Sequence, residues 1–142
     1  MAAVALIAFS VIDQPTRSVL FVAGDPHIEV SGDMALAPYA GREVRAEGVT
    51  VESVPTGEGF WVGHSRADRI WVDLDRGGSI SQPLTPGQRV SFVGRLIANH
   101  AELPAQLGWA APADVAQLAA QGFHILLTEE TLQPGRPPQT QR

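Results

Sequence analysis

Gly59-Phe60-Trp61-Val62-Gly63-His64, followed after a short gap by Asp68-Arg69-Ile70-Trp71-Val72-Asp73-Leu74, is the stretch on which the fold turns. Both runs alternate, and the residues between them are few enough for a tight hairpin turn. Pairing about Arg66 sets Phe60 opposite Val72, Trp61 opposite Trp71, Val62 opposite Ile70 and His64 opposite Asp68. Successive side chains on a strand point to opposite faces, so Phe60, Val62, Ile70 and Val72 share one face. Trp61 and Trp71 share the other, close enough to touch as a cross-strand pair. The aliphatic face needs a core beneath it. The aromatic face needs either a ligand or another segment of the chain.

Outward from the hairpin, the flanking segments read as long strands. In Arg42–Val54 the apolar residues Val44 and Ala46 are even-numbered, whereas Val49 and Val51, after Gly48, are odd-numbered. A phase shift of one residue at a glycine is the mark of a β-bulge, which bends a strand. In Gln88–Asn99, Val90, Phe92, Leu96 and Ala98 share a face with Gly94 midway along it, where a missing side chain gives a barrel corner room. Asp75-Arg76-Gly77-Gly78 reads as a turn, and Ser79–Gly87, with Pro83 and Pro86, as loop. Pro112–Gln121 reads as a helix, with proline in its first turn, Gly122 at its stop and an apolar stripe of Val115, Leu118 and Ala119. A last strand runs from Phe123 to about Glu130, with Phe123, Ile125 and Leu127 on one face. Before the hairpin, Ser18–Ala23 and His27–Val30 are extended, and Met34–Tyr39 is one helical turn.

The expected fold is therefore all-β: a five-stranded barrel over residues 42–131, with one short helix before the last strand and an extra N-terminal extended segment at 18–41. The Pro-rich tail, 132–142, reads as disordered. Gly41-x-x-Val44-x-x-x-Gly48-Val49, Phe60-Trp61-Val62-Gly63, Ile70-Trp71-Val72 and Gly87-Gln88-x-Val90-x-Phe92-x-Gly94 together resemble a bacterial OB-fold domain. Val54-Pro55, Glu58–Gly63 and Gln121-Gly122-x-His124-Ile125 resemble, more narrowly, an uncharacterised group of exported or membrane-anchored OB-like proteins. The resemblance implies a five-stranded OB-like Greek-key barrel and a binding habit, not a reaction. Many OB-folds carry a helix between their third and fourth strands, but here that connection is rich in proline and glycine.

With 142 residues, 44% of them hydrophobic, the chain is long enough for one domain with a proper core. The net charge of -5 disfavours a polyanionic partner. All ten basic residues are arginine. Absence of cysteine excludes disulfides, thiolate metal sites and a cysteine nucleophile. No phosphate-binding glycine loop, no Gly-x-Ser-x-Gly and no His-Glu-x-x-His is present, so no catalytic residue is assigned.

Trp61, Trp71 and Arg69 are the candidate ligand-binding residues. Arg69 has the phase of Trp71, and aromatic residues on these strands of OB-folds stack bases or sugars. The competing reading covers the two rings with residues 18–40 or with the helix at 112–121. Arg42, Arg45, Arg66, Arg69, Arg89 and Arg95 are interleaved with acids, as on a solvated exterior. Asp25, His27 and Glu29 alternate and invite comparison with a metal site completed by His64 or His124. A polar outer strand face accounts for them more simply, and neither metal nor cofactor is assigned.

Met1–Ile12 carries no charge and is too short to span a bilayer alone. Three readings fit it: the remnant of a membrane anchor over 1–17, an uncleaved apolar leader, or a strand pairing with 18–23. The anchor reading places the protein outside the cytoplasm and at a membrane. The function expected from these features is a non-catalytic binding or assembly module of the cell envelope, with a protein or envelope component as partner. The alternative is a cytoplasmic single-stranded nucleic-acid-binding protein.

Overall fold

A computed structural model of the chain describes residues 19–74, 83–100, 103, 111–127 and 132–134. The strands are β1 (Val19–Val22), β2 (Asp25–Glu29), β3 (Glu43–Thr56), β4 (Gly59–Val62), β5 (Ile70–Leu74), β6 (Arg89–Ala98), β7 (Phe123–Leu127) and β8 (Gln133–Pro134). Helix α1 (Pro112–Gln121) lies between β6 and β7, and a 3-10 turn spans Ala37–Tyr39.

β4 and β5 pair in the register read from the sequence, with Phe60 opposite Val72, Trp61 opposite Trp71 and Val62 opposite Ile70. The sheet runs β3-β4-β5-β7-β6, and β6 pairs again with β3, which closes five strands into a mixed β-barrel. All its pairings are antiparallel except that of β5 with β7. A parallel pair cannot be joined by a hairpin, so β6 and α1 are spent on the crossover between them. The helix thus falls immediately before the last barrel strand, as expected.

Closure depends on β3, which serves three neighbours along its length. Val44–Glu47 pair with β1, Val51–Thr56 with β4, and Glu43–Thr50 with β6 on the opposite edge. The register with β6 shifts between Ala46 and Val49. Gly48 sits in that gap with φ 65°, and its N–H donates to Ser91 Oγ. This is the bulge expected from the phase shift, and it lets Val44 and Ala46 face the core on one side of the bend and Val49 and Val51 on the other.

Inside the barrel lie Val44, Val51, Phe60, Ile70, Val72, Phe92, Leu96 and Ile125, with Phe60 edge-on to Phe92. Gly94 is buried among them, while Ala98, expected on the same face, is exposed because β6 is ending there. The β1–β2 hairpin extends the sheet past β3 and adds Leu20, Val22 and, just beyond β2, Val30 to the same core. Residues 132–134 differ from the tail reading: Leu132 is buried and β8 pairs with Val90 and Ser91 of β6. The turn expected at 75–78 and the segment 1–18 lie outside the described residues.

A Cβ at position 94 would stand 2.7 Å from Ile125 Cγ2 and 2.9 Å from the carbonyl oxygen of Leu126. The carbonyl belongs to a paired strand and cannot yield. Gly94→Val is therefore expected to destabilise the fold by about 1–3 kcal/mol through overpacking, read as a lowered denaturation midpoint. An unchanged midpoint would show that the barrel has slack at this corner.

Candidate functional site

Trp61 and Trp71 project from the outer face of the hairpin, side by side, with ring centroids 5.5 Å apart and planes at 65°. A Cβ at Gly59 would strike the Trp71 ring and the Val72 carbonyl, so the glycine makes the space in which that ring lies. Both indoles are buried, at 1% and 0% exposure, together with Leu103 and Leu118 of α1. Of the two covers considered for this face, the helix and Leu103 provide it, and residues 19–40 pack elsewhere. Every residue of β4 is consequently buried on both faces.

Arg69 lies flat on Trp61, its guanidinium carbon 3.9 Å from the ring centroid, and is 1% exposed. A buried cation needs partners, and it has three. Nη1 donates to Glu52 at 2.9 Å, Nη2 to Asp114 at 2.6 Å and Nε to Gln117 Oε1 at 2.9 Å. Asp114 also accepts from Arg66, while Gln117 and Gln121 donate to the backbone carbonyls of Arg66 and Arg69. Asp114, Gln117 and Gln121 lie on one helix face at spacings of three and four. That polar face, rather than the expected stripe of Val115, Leu118 and Ala119, clips the helix down. Only Leu118 of the helix is buried. Trp61 Nε1 and Gln121 Oε1 find no partner among the described residues. Arg69 was legible as a candidate; Glu52, Asp114 and Gln117 were missed, although an arginine in phase with two tryptophans calls for an acid nearby.

The far end of the helix is held by a second polar link. Asn99 Nδ2 donates to the Leu118 carbonyl at 2.9 Å, which fixes its Oδ1 as an acceptor. His124 Nδ1, 2.7 Å from that oxygen, is therefore the protonated ring nitrogen. Burial, helped by His100 nearby, pushes the His124 pKa down to about 4.

On another side of the barrel a mouth of about 210 Å³ opens between the N-terminal hairpin and the β4–β5 turn. Leu20, Val30, Val49, Val62 and Ile70 form its walls, and Glu29, Ser31, Thr50, His64 and Asp68 its polar lining. The turn is firmly built. Asp68 Oδ1 accepts from the N–H groups of His64 and Ser65, each at 2.9 Å, and Gly32 N–H donates to the Asp68 carbonyl. His64 and Asp68 therefore do face each other as expected, but through backbone bonding of the carboxylate. Of the other candidates, Glu29 and His64 meet at this mouth and His27 is exposed. Among the described residues no three His, Asp or Glu side chains gather as a metal site would require. A larger apolar cleft of about 450 Å³ is lined by Leu103, Val115, Leu118 and Ala119. Comparison with family models, with curated proteins and with solved structures found no match.

Two measurements test this arrangement. Trp61→Ala is expected to cost about 3–5 kcal/mol of stability, as for a buried tryptophan, and Arg69→Met about 3 kcal/mol, because two carboxylates lose their cation. Denaturant melts of both variants near the wild-type midpoint would instead mean that the helix does not cover the rings in solution. The second concerns pH. Between about pH 6.5 and 4 the unfolded chain binds a proton that folded His124 does not. Stability is thus full above pH 6.5 and falls as the pH drops through this window, by roughly 2–4 kcal/mol. His124→Gln should remove this component, seen as a shallower pH slope than wild type.

Proposed function

We propose that this protein is a non-catalytic binding or assembly module of the cell envelope, built on an OB-like barrel, that engages a protein partner through the barrel mouth. The mouth between Glu29 and Asp68 carries this reading. It combines apolar walls with a braced polar rim, as binding sites do. The rim does not resemble a catalytic pair: Asp68 Oδ1 is bonded to the turn backbone, and among the described residues no hydrogen bond joins the carboxylate to the His64 imidazole. The envelope location rests on the uncharged run Met1–Ile12. Among the described residues no helix is long and apolar enough to cross a membrane.

The rival, a cytoplasmic single-stranded nucleic-acid binder, draws its support from Trp61, Trp71 and Arg69. Stacking needs accessible rings, and a phosphate contact needs an unneutralised cation. Here the rings are buried and Arg69 is held by Glu52 and Asp114, which weighs against it.

A photo-crosslinking residue at Ser31 or His64 in the full chain, activated in the native cells, tests the proposal. Adducts with protein from these positions, and far fewer from a control at exposed Arg45, are expected. Adducts with nucleic acid, or equal labelling from mouth and control, overturn it. Fractionation of the same cells checks the envelope assignment, which requires the chain to sediment with membranes.

A further inference from the structure

The mouth has a size, a wall chemistry and a charge, and together they select an occupant. Its volume of about 210 Å³ gives room for one long side chain. Its walls are aliphatic: Leu20, Val30, Val49, Val62 and Ile70 are all core residues whose surfaces end at the opening. Its carboxyl groups are those of Glu29 and Asp68, and among the described residues no arginine lines it. The Glu29 backbone belongs to the β1–β2 ladder, but its carboxylate has no hydrogen bond or ion pair among the described residues and is exposed at the rim. Asp68 is fixed through Oδ1 by two backbone N–H groups, so its second oxygen is presented in a preset direction.

We infer that the mouth takes a single arginine side chain of a partner protein, its aliphatic stem against Leu20, Val30 and Val49 and its guanidinium on the Glu29 and Asp68 carboxylates. The inference deepens the binding-module proposal and rests on it. Arginine joins an apolar stem to a planar cation that pairs with carboxylates, and its weaker hydration makes it easier to draw into a half-apolar site than an ammonium group. The net charge of -5 favours the approach of a basic segment. An acidic side chain or a phosphate meets two like charges. A metal ion meets too few ligands. Among the described residues His64 is the other ionisable side chain that lines the mouth.

The test uses the full chain, labelled with ¹⁵N, and four capped tripeptides, acetyl-Ala-Xaa-Ala-amide, with arginine, citrulline, norleucine or glutamate at the centre. The arginine peptide is expected to shift the amides of Gly32, Gly63, His64, Ser65 and Asp68 saturably. Citrulline, the same shape without charge, should bind about tenfold more weakly, the scale of a charge-assisted bond. Glu29→Gln, at an exposed position, should leave the spectrum folded and reduce arginine affinity by a similar factor. Asp68→Asn, which keeps an oxygen for the turn N–H groups, should act in the same direction. Equal responses to arginine and citrulline, shifts away from the mouth, no response to any peptide, or an unchanged affinity in Glu29→Gln overturns the inference. Crosslinks at Ser31 or His64 that persist without an arginine preference would remove the arginine and leave the binding-module reading. Absence of mouth-specific crosslinks removes that reading itself.

Discussion

The pairing of β3 with β6 is the constraint on which the rest of this structure depends. Without it the chain is an open sheet with two bare edges, and nothing obliges β5 and β7 to meet in parallel. With it, β3 must pair with β1 and β4 along one edge and β6 along the other, which a straight strand cannot do. The bulge at Gly48 resolves the conflict by turning the strand between its two tasks. The same bend brings Val49 and Thr50 to the β4–β5 turn, where they line the mouth. Closure of the barrel and construction of the candidate site are thus one event.

The outer face of the hairpin follows a different logic. Its two indoles supply apolar area, but one buried leucine is little for the helix to offer in return. What fixes α1 in place is Arg69, which stacks on Trp61 and bonds to β3 and to the helix at once. A buried ion pair with its partners in place contributes modestly to stability, yet removal of one member is costly. Such an arrangement specifies where the helix sits more than it strengthens the fold.

These two parts were unequally legible in the sequence. The hairpin register, the bulge and the corner at Gly94 could be read because strand periodicity is strict: a shift of one residue exchanges inside for outside, and Val44/Ala46 against Val49/Val51 records it. Trp61 and Trp71 were placed on the right face for the same reason. Whether they were covered could not be read, because alternation along β4 is silent about what lies above it. The cover depends on Asp114, Gln117 and Gln121, and polar residues on a short helix look like a solvated face until an arginine is known to lie opposite. The mouth escaped notice altogether. It is assembled from five separate stretches of chain, and only Glu29, His64 and Asp68 had attracted attention, each for another reason.

The parallel pairing of β5 with β7 also sets an order of events during synthesis. The hairpin is complete once residue 74 has emerged, but the helical residues that bond to Arg69 come 45 and 48 positions after it, and β7 comes later still. At about 5–20 residues per second, a ribosome leaves the two indoles and a charged guanidinium bare for roughly 2–10 s. The nascent chain passes through a stage in which its largest aromatic surface is exposed and the helix that buries it does not yet exist. Factors that bind exposed aromatic hairpins on nascent chains have that interval in which to act, and it ends when α1 is released.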